Sequence, residues 1–407
     1  MKLTVRFSSK KEPIPLKSAC AILFVIALIL LTFSTFFQGV YNVLLHVALL
    51  GMCFLVIGRL NQRSVTMLIV SVLPMALLVG LSFNNVSSTP IAQIGFFLHY
   101  ISWIVLLLAV NETFSDGQKR FLIRLIIVIA IISNLASIAV LLTDADASRL
   151  LAGSVTEKAQ ADYYSRGLGG YGYVYAMVFL TYGAIVWLIN TKNRFEKILL
   201  IVYLITNYLF LLLSSYTLAI IFALVLTVAA LTTKMQFVSA NVLLVTVALL
   251  IILLGEPLLN LGINFAEKMD LPWIVKRLSQ LNEAQMTGDY MGLTRSQLYL
   301  RSLQSFAENP LTGQGLVGGH AHMLDWLGMF GICAIPAMWL MYVFCREAYK
   351  IGKRKNFVIF YIIFFVFTFI DTCSAMQIPV IVLFGCPLIL NLMSSQETKP
   401  APESLKE

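Results

Sequence analysis

Along the 407 residues, long runs of apolar side chains alternate with short polar or charged interruptions. A helix needs about 20 consecutive apolar residues to cross a bilayer. Read on that basis, the runs predict twelve spans, near 18–36, 39–57, 66–83, 91–110, 121–142, 171–190, 197–213, 215–232, 236–255, 323–345, 356–372 and 378–394. The two runs that meet around Ser214 have almost no connection between them. The first run lacks a small-residue cleavage site and is followed by many others, so it reads as a helix rather than a removed signal peptide. Two interruptions are long, 143–170 and 256–322, and the second carries helical patterning of its own. The expectation is an all-α integral membrane protein: one polytopic domain over 1–407 with two sizeable loops.

Composition agrees. Hydrophobic residues make up 59% of the chain and charged residues 12%, with mean hydropathy +0.86, too few charges to cover a soluble surface. The basic residues then predict orientation. With the N-terminus in the cytoplasm, twenty Lys and Arg fall in the tails and cytoplasmic loops, and eight fall outside. Those eight are Arg149, Lys158, Arg166, Lys268, Lys276, Arg277, Arg295 and Arg301, all within the two long loops. The net charge of +9 is thus mainly an orientation signal in a multi-pass plasma-membrane protein with both termini cytoplasmic, and no nucleic-acid partner is needed to explain it. The six cysteines lie in or at the ends of spans without CxxC spacing and read as packing residues.

Candidate chemistry sits outside. The first outer loop ends in Ser165-Arg166-Gly167-Leu168-Gly169-Gly170-Tyr171-Gly172, where glycines let backbone approach a ligand and Arg166 could hold an oxyanion; the bland reading is a hinge with a solvated arginine. In the second loop, 294–306 reads as an amphipathic helix. Arg295, Tyr299, Leu303 and Phe306 share one side within about 80°, and Arg301 points elsewhere. A docked arginine needs an anionic partner, and no acid is spaced to serve Arg295 locally. After the helix come Glu308-Asn309-Pro310, a glycine-rich stretch, and then His320 and His322. A metal reading of His-x-His would require more ligands than Asp325 supplies, so a general base suits one imidazole better. Ser214-Ser215-Tyr216-Thr217 forms a tight turn or lines a cavity, and His46 and His99 read as packing histidines. Motifs of triads, P-loops, EF-hands and dinucleotide folds are absent. Several arginines, one or two histidines and no metal suit an anionic, lipid-linked substrate.

These residues resemble the O-antigen ligase and O-antigen polymerase superfamily (WaaL-type and Wzy-type proteins). The likeness rests on Arg295-x-x-x-Tyr299, on Phe306-x-x-x-Pro310-Leu311-x-Gly313-x-Gly315, and on His320-x-x-x-Leu324-Asp325-x-Leu327-x-x-x-Gly331. It covers about 37 residues closely, and the span count and two-loop layout extend it over most of the chain. The resemblance implies a GT-C-like fold in a bacterial inner membrane with periplasmic loops. It implies metal-independent, cofactor-free glycosyl transfer from an undecaprenyl-diphosphate-linked glycan. His320 takes the place of the family's essential histidine, Arg295 that of its large-loop arginine, and Arg277 and Arg166 resemble two others. His322 has no firm counterpart and is kept, with Tyr299, as a substrate contact. Two departures stand out. The family often has an arginine where this chain reads Ser214-Ser215-Tyr216-Thr217, and His320-Ala321 with Leu324-Asp325 is more polymerase-like than the ligases' His-Asn.

The reading favoured is a polysaccharide polymerase acting on lipid-linked repeat units, with a chain-length regulator as a further partner. The first alternative is a ligase with lipid A–core as acceptor. A transporter for the same glycan is less favoured: the halves show no repeat, and Arg124 and Asp371 are the few charges within spans.

Overall fold

The computed structural model describes residues 4–5, 14–57, 62–83, 85, 88–144, 147–152, 157–214, 216–234, 257, 260–269, 275, 278–279, 289–290, 293–315, 317–319, 321–352 and 357–397. In chain order the helices are α1 Leu16–Phe33, α2 Val43–Ile57, α3 Gln62–Ser82, α4 Pro90–Thr113 and α5 Asp116–Thr143. Next come α6 Ala147–Ala152, α7 Glu157–Ser165, α8 Tyr171–Asn190, α9 Arg194–Ser214 and α10 Thr217–Leu231. The last are α11 Arg295–Glu308, α12 His322–Phe330, α13 Ile335–Gly352, α14 Phe357–Ile370 and α15 Cys386–Glu397. Strand is confined, among the described residues, to two antiparallel pairs of two residues each. The protein is an all-α membrane protein.

Seven helical stretches among the described residues are long and apolar enough to cross a membrane. They are α3, α4, α5, α8, α9, His322–Gly352 (α12 continued through a 3₁₀ turn into α13) and Gln377–Ser394. Four other expected spans fall on shorter apolar helices, Ser18–Phe33, Val43–Ile57, Leu218–Leu231 and Phe357–Ile370. The expected span 236–255 lies outside the described residues.

Burial explains the layering. Helix α8 and Gln377–Ser394 are each 89% buried over their apolar windows, whereas α3 is 28% buried and faces outward. A helix apolar on all sides belongs in the middle of a bundle. Close approach is supplied by small residues: a side chain at Gly183 would press on Cys386 Sγ and Ile389, and one at Gly172 would overlap Ala375. Within the last span, Val380–Gly385 winds as a π-helix just before Pro387, whose missing N–H removes an ordinary helical bond.

Contacts between helix ends sort the connections into two groups. At one end Arg124 Nη2 meets Glu196 at 2.6 Å, Arg120 stands 3.5 Å away, and Trp187 Nε1 and Thr191 Oγ1 donate to the same carboxylate at 3.1 and 2.5 Å. At that end Asn391 also donates to Ile351 O. At the other end Asn85 Nδ2 donates to Met329 O, Tyr216 OH to Ser148 O, and Tyr299 OH to Ile370 O. Each of these contacts ties together helix ends or the connections beside them. Arg124, the only cation counted within a span, is thereby tied to a carboxylate at the basic end of α5.

Glu196 is fully buried. Replacing it by alanine strands two arginines and two neutral donors. Because Arg124 is one-third exposed, the cost falls at the low end of the range for a broken buried pair, about 3 kcal/mol. Thermal unfolding of purified Glu196→Ala in detergent measures this.

Candidate functional site

The loop that carries His320 is built by glycines and by one carboxylate. Helix α11 docks on α12 through Leu298, Ser302 and Ser305, all buried, while Leu303 is exposed. The docked face is therefore turned about 90° from the apolar face expected around Arg295, Tyr299, Leu303 and Phe306. The reason is close packing rather than apolar area. Ser305 Oγ donates to Gly328 O at 2.8 Å, and a Cβ at Gly328 would press on Ser302 O. Tyr299 and Phe306 flank this face, half-buried, and Arg301 is exposed as expected.

The stretch Pro310–Gly315 then folds back on the C-terminal end of α12. Ile332 N donates to Pro310 O at 2.8 Å, and Gln314 N and Gly315 N both reach Gly328 O. Gly313 and Gly331 have φ of +69° and +58°, and any side chain there would meet backbone of the opposing segment. The Pro-Leu-x-Gly-x-Gly and terminal Gly331 positions are thus a structural clasp between α11 and α12.

Asp325 holds what lies between. Its Oδ1 accepts from Ser302 Oγ at 2.7 Å and from Gly319 N at 3.2 Å, and its Oδ2 accepts from Ala321 N at 3.0 Å. Ser302 Oγ also accepts from Gly318 N at 3.0 Å. Both residues that bracket His320 are therefore fixed by oxygens of one buried carboxylate. Asp325 thus shapes the loop on both sides of position 320. Gly318 lies so close to α11 that a Cβ would overlap Leu298 O. Gly318→Ala is expected to displace this loop and cost about 1–3 kcal/mol. Limited proteolysis of the loop, compared with Gly313→Ala as a second backbone-contact site, checks it.

Beside the loop lies a cluster of which sequence patterning shows only a stray charge. Asp371, buried at the end of α14, accepts hydrogen bonds from the hydroxyls of Tyr171 and Tyr175 (the latter at 2.8 Å) and from Thr372 N. His322 N donates to Asp371 O at 3.3 Å, and Tyr299 is tied one residue away at Ile370 O. The Tyr216 ring stands 5.9 Å from Tyr171. The polar turn near Ser214 thus contributes an aromatic wall to this cluster. Four tyrosines and a carboxylate, drawn from α8, α11, α14 and the turn before α10, converge on the face where the His320 loop is anchored.

The other expected site residues are placed as follows. His322 stacks on Phe96 at 4.6 Å and 24° and packs against Trp326; its Nε2 is buried without a hydrogen-bond partner among the described residues. Arg166 is exposed at the end of α7, 3.9 Å from Asp162, with Nη2 3.3 Å from Thr143 Oγ1 and its guanidinium over the Tyr163 ring. The glycines after Arg166 are pinned rather than hinged: Ser137 Oγ donates to Gly167 O and accepts from Gly169 N. In the same loop Tyr163 donates to Asp144 Oδ2 at 2.7 Å, a bond that raises its phenol above the ordinary value. His320 and Arg277 lie outside the described residues, as does the Arg295 side chain; the Arg295 backbone opens α11. His46 and His99 form a separate buried group with Tyr41, in which His46 Nε2 lies 3.0 Å from Ser102 Oγ.

Sequence reasoning missed Tyr171, Tyr175 and Ser302. The signal available was that Asp371 is the only acid between Ala348 and Met393, at the end of a span, and needs donors from elsewhere. No family model matches this chain, and no curated protein matches it.

Proposed function

We propose that the chain is an inverting glycosyltransferase of bacterial surface-polysaccharide assembly, polymerising undecaprenyl-diphosphate-linked repeat units at the outer face of the inner membrane. The reading takes the chain as twelve spans in a GT-C-like arrangement with both termini cytoplasmic. The observation that supports it most is the Asp325 clamp. A buried carboxylate spent on the two backbone N–H groups flanking His320 is a device for holding one imidazole at the membrane surface.

In the proposed step, His320 takes the proton from a hydroxyl of the acceptor repeat. That oxygen bonds to the anomeric carbon of the donor glycan, and the bond from this carbon to the diphosphate breaks. The leaving group departs as undecaprenyl diphosphate. Arg295, with Arg277 or Arg166, neutralises it. Arg166 would exchange its surface contact with Asp162, worth little in water, for a phosphate. Tyr171 and Tyr299, half-buried at the edge of the Asp371 cluster and backed by buried His322, form the wall against which the sugars lie. Phenol hydroxyls and aromatic faces suit that contact.

The test is a strain lacking the native protein, with surface glycan resolved on a gel. Single repeats still attached to the surface, without long chains, support a polymerase. Loss of all attachment with lipid-linked polymer accumulating assigns the ligase reaction to lipid A–core instead. Unchanged glycan overturns both.

A further inference from the structure

At the basic end of the bundle, α13 and α14 leave a groove of about 380 Å³ between them. Its lining is graded. Arg346, Lys350 and Tyr349 stand at the end nearest the connection 353–356, and Tyr342, Ile362 and Phe365 line the end toward the middle of the bundle. Each helix contributes residues at helical spacing: 342, 346 and 349 on one, 358, 362 and 365 on the other. The groove therefore runs about 10 Å along the helices. The Tyr342 and Phe365 rings lie 6.4 Å apart across it. Tyr342 and Ile362 are each about half exposed, as side chains facing lipid would be.

One cation is left over at this end. Lys350 pairs with Glu347 at 2.5 Å, and Arg346 has no acidic partner among the described residues. From Ala348 to Ile370 the sequence contains no acid, while the connection adds Lys353, Arg354 and Lys355. An amphipathic slot with cations and a phenol at the membrane–water boundary, and aromatic and branched side chains below, matches a lipid with a phosphate headgroup. We propose that this groove binds one anionic phospholipid of the leaflet on the basic side, its phosphate at Arg346 and its acyl chains along Tyr342, Ile362 and Phe365. The site is independent of the glycosyl-transfer reading, since it lies at the opposite end of the bundle from the loop that carries His320.

The experiment is native mass spectrometry of the full-length protein, purified in detergent and delipidated, then titrated with dioleoyl phosphatidylglycerol or dioleoyl phosphatidylcholine. Wild type is expected to bind the first phosphatidylglycerol at least about fivefold more tightly than phosphatidylcholine, the preference that one surface cation supplies. Arg346→Gln should remove that preference, and Arg346→Lys should keep most of it. Ile362→Trp, which fills the slot without touching charge, should weaken the first binding event of both lipids. Glycerol 3-phosphate should not compete. Equal affinity for the two lipids, an unchanged preference in Arg346→Gln, or displacement by glycerol 3-phosphate alone would each overturn the proposal.

Discussion

Replacing His320 by alanine is expected to lower polymer formation by about 10³-fold, with membrane abundance unchanged. General-base assistance contributes roughly 10²–10⁴ to a rate, and in the proposed step an acceptor hydroxyl with a pKa far above neutrality depends on it to become a nucleophile. The effect should appear in the rate of chain extension and not in donor binding, because the proposed step leaves the diphosphate to arginines on other segments. Membranes from cells carrying His320→Ala, supplied with lipid-linked repeat units, give the measurement. His322→Ala is the internal comparison. His322 stacks on Phe96 and packs at a tilt against Trp326, so its loss should cost packing, about tenfold or less in rate, without abolishing extension. If the two variants exchange these effects, the assignment of the base is wrong.

Asp325→Asn should fall almost as far, by about 100-fold, although the proposed step gives Asp325 no contact with substrate. The amide replaces one of two acceptor oxygens, so at least one of Gly319 N, Ala321 N and Ser302 Oγ loses its acceptor. A bond to a buried carboxylate is worth about 1.5–3 kcal/mol, and displacement of a catalytic group by about 1 Å costs on the order of 10² in rate. Ser302→Ala removes one donor to Asp325 and the support of Gly318 N, and should lose less, about tenfold. A structural role confined to stability would lower folded protein and leave activity per folded molecule intact. The positioning role is read from activity per folded molecule, together with faster proteolysis near 318–321. The Asp371 cluster offers the contrast: Tyr175→Phe removes one donor to a carboxylate that keeps Tyr171 and Thr372 N, so a milder loss follows.

Much of the architecture was legible because the bilayer imposes a simple rule. Apolar runs of the right length become helices, and the described spans fall on apolar helices from Ser18 to Ser394. The contact face of α11 was not legible. Apolar periodicity pointed to Leu303, but the chain docks through Ser302, Ser305 and the glycines at 318 and 328, where hydrogen bonds and close backbone approach outweigh apolar area. For the same reason Asp325 looked like a weak candidate ligand in sequence. Only three-dimensional placement shows its oxygens accepting from residues 302, 319 and 321. The tyrosines at 171 and 175 were hidden because their partner Asp371 lies about 200 residues away and no local spacing connects them. Arg166 had a chemically clear motif, yet its present partner is Asp162, one helical turn back on the protein surface.

Above all, this chain is proposed to join sugars rather than to move or merely bind them. The deciding experiment supplies purified protein, in detergent with a chelator, with undecaprenyl-diphosphate-linked repeat units alone. The expected result is a ladder of lipid-linked oligomers, one undecaprenyl diphosphate released per new glycosidic bond, and no ladder with His320→Ala. Absence of any ladder from wild-type protein, with the repeat units recovered intact, would contradict it.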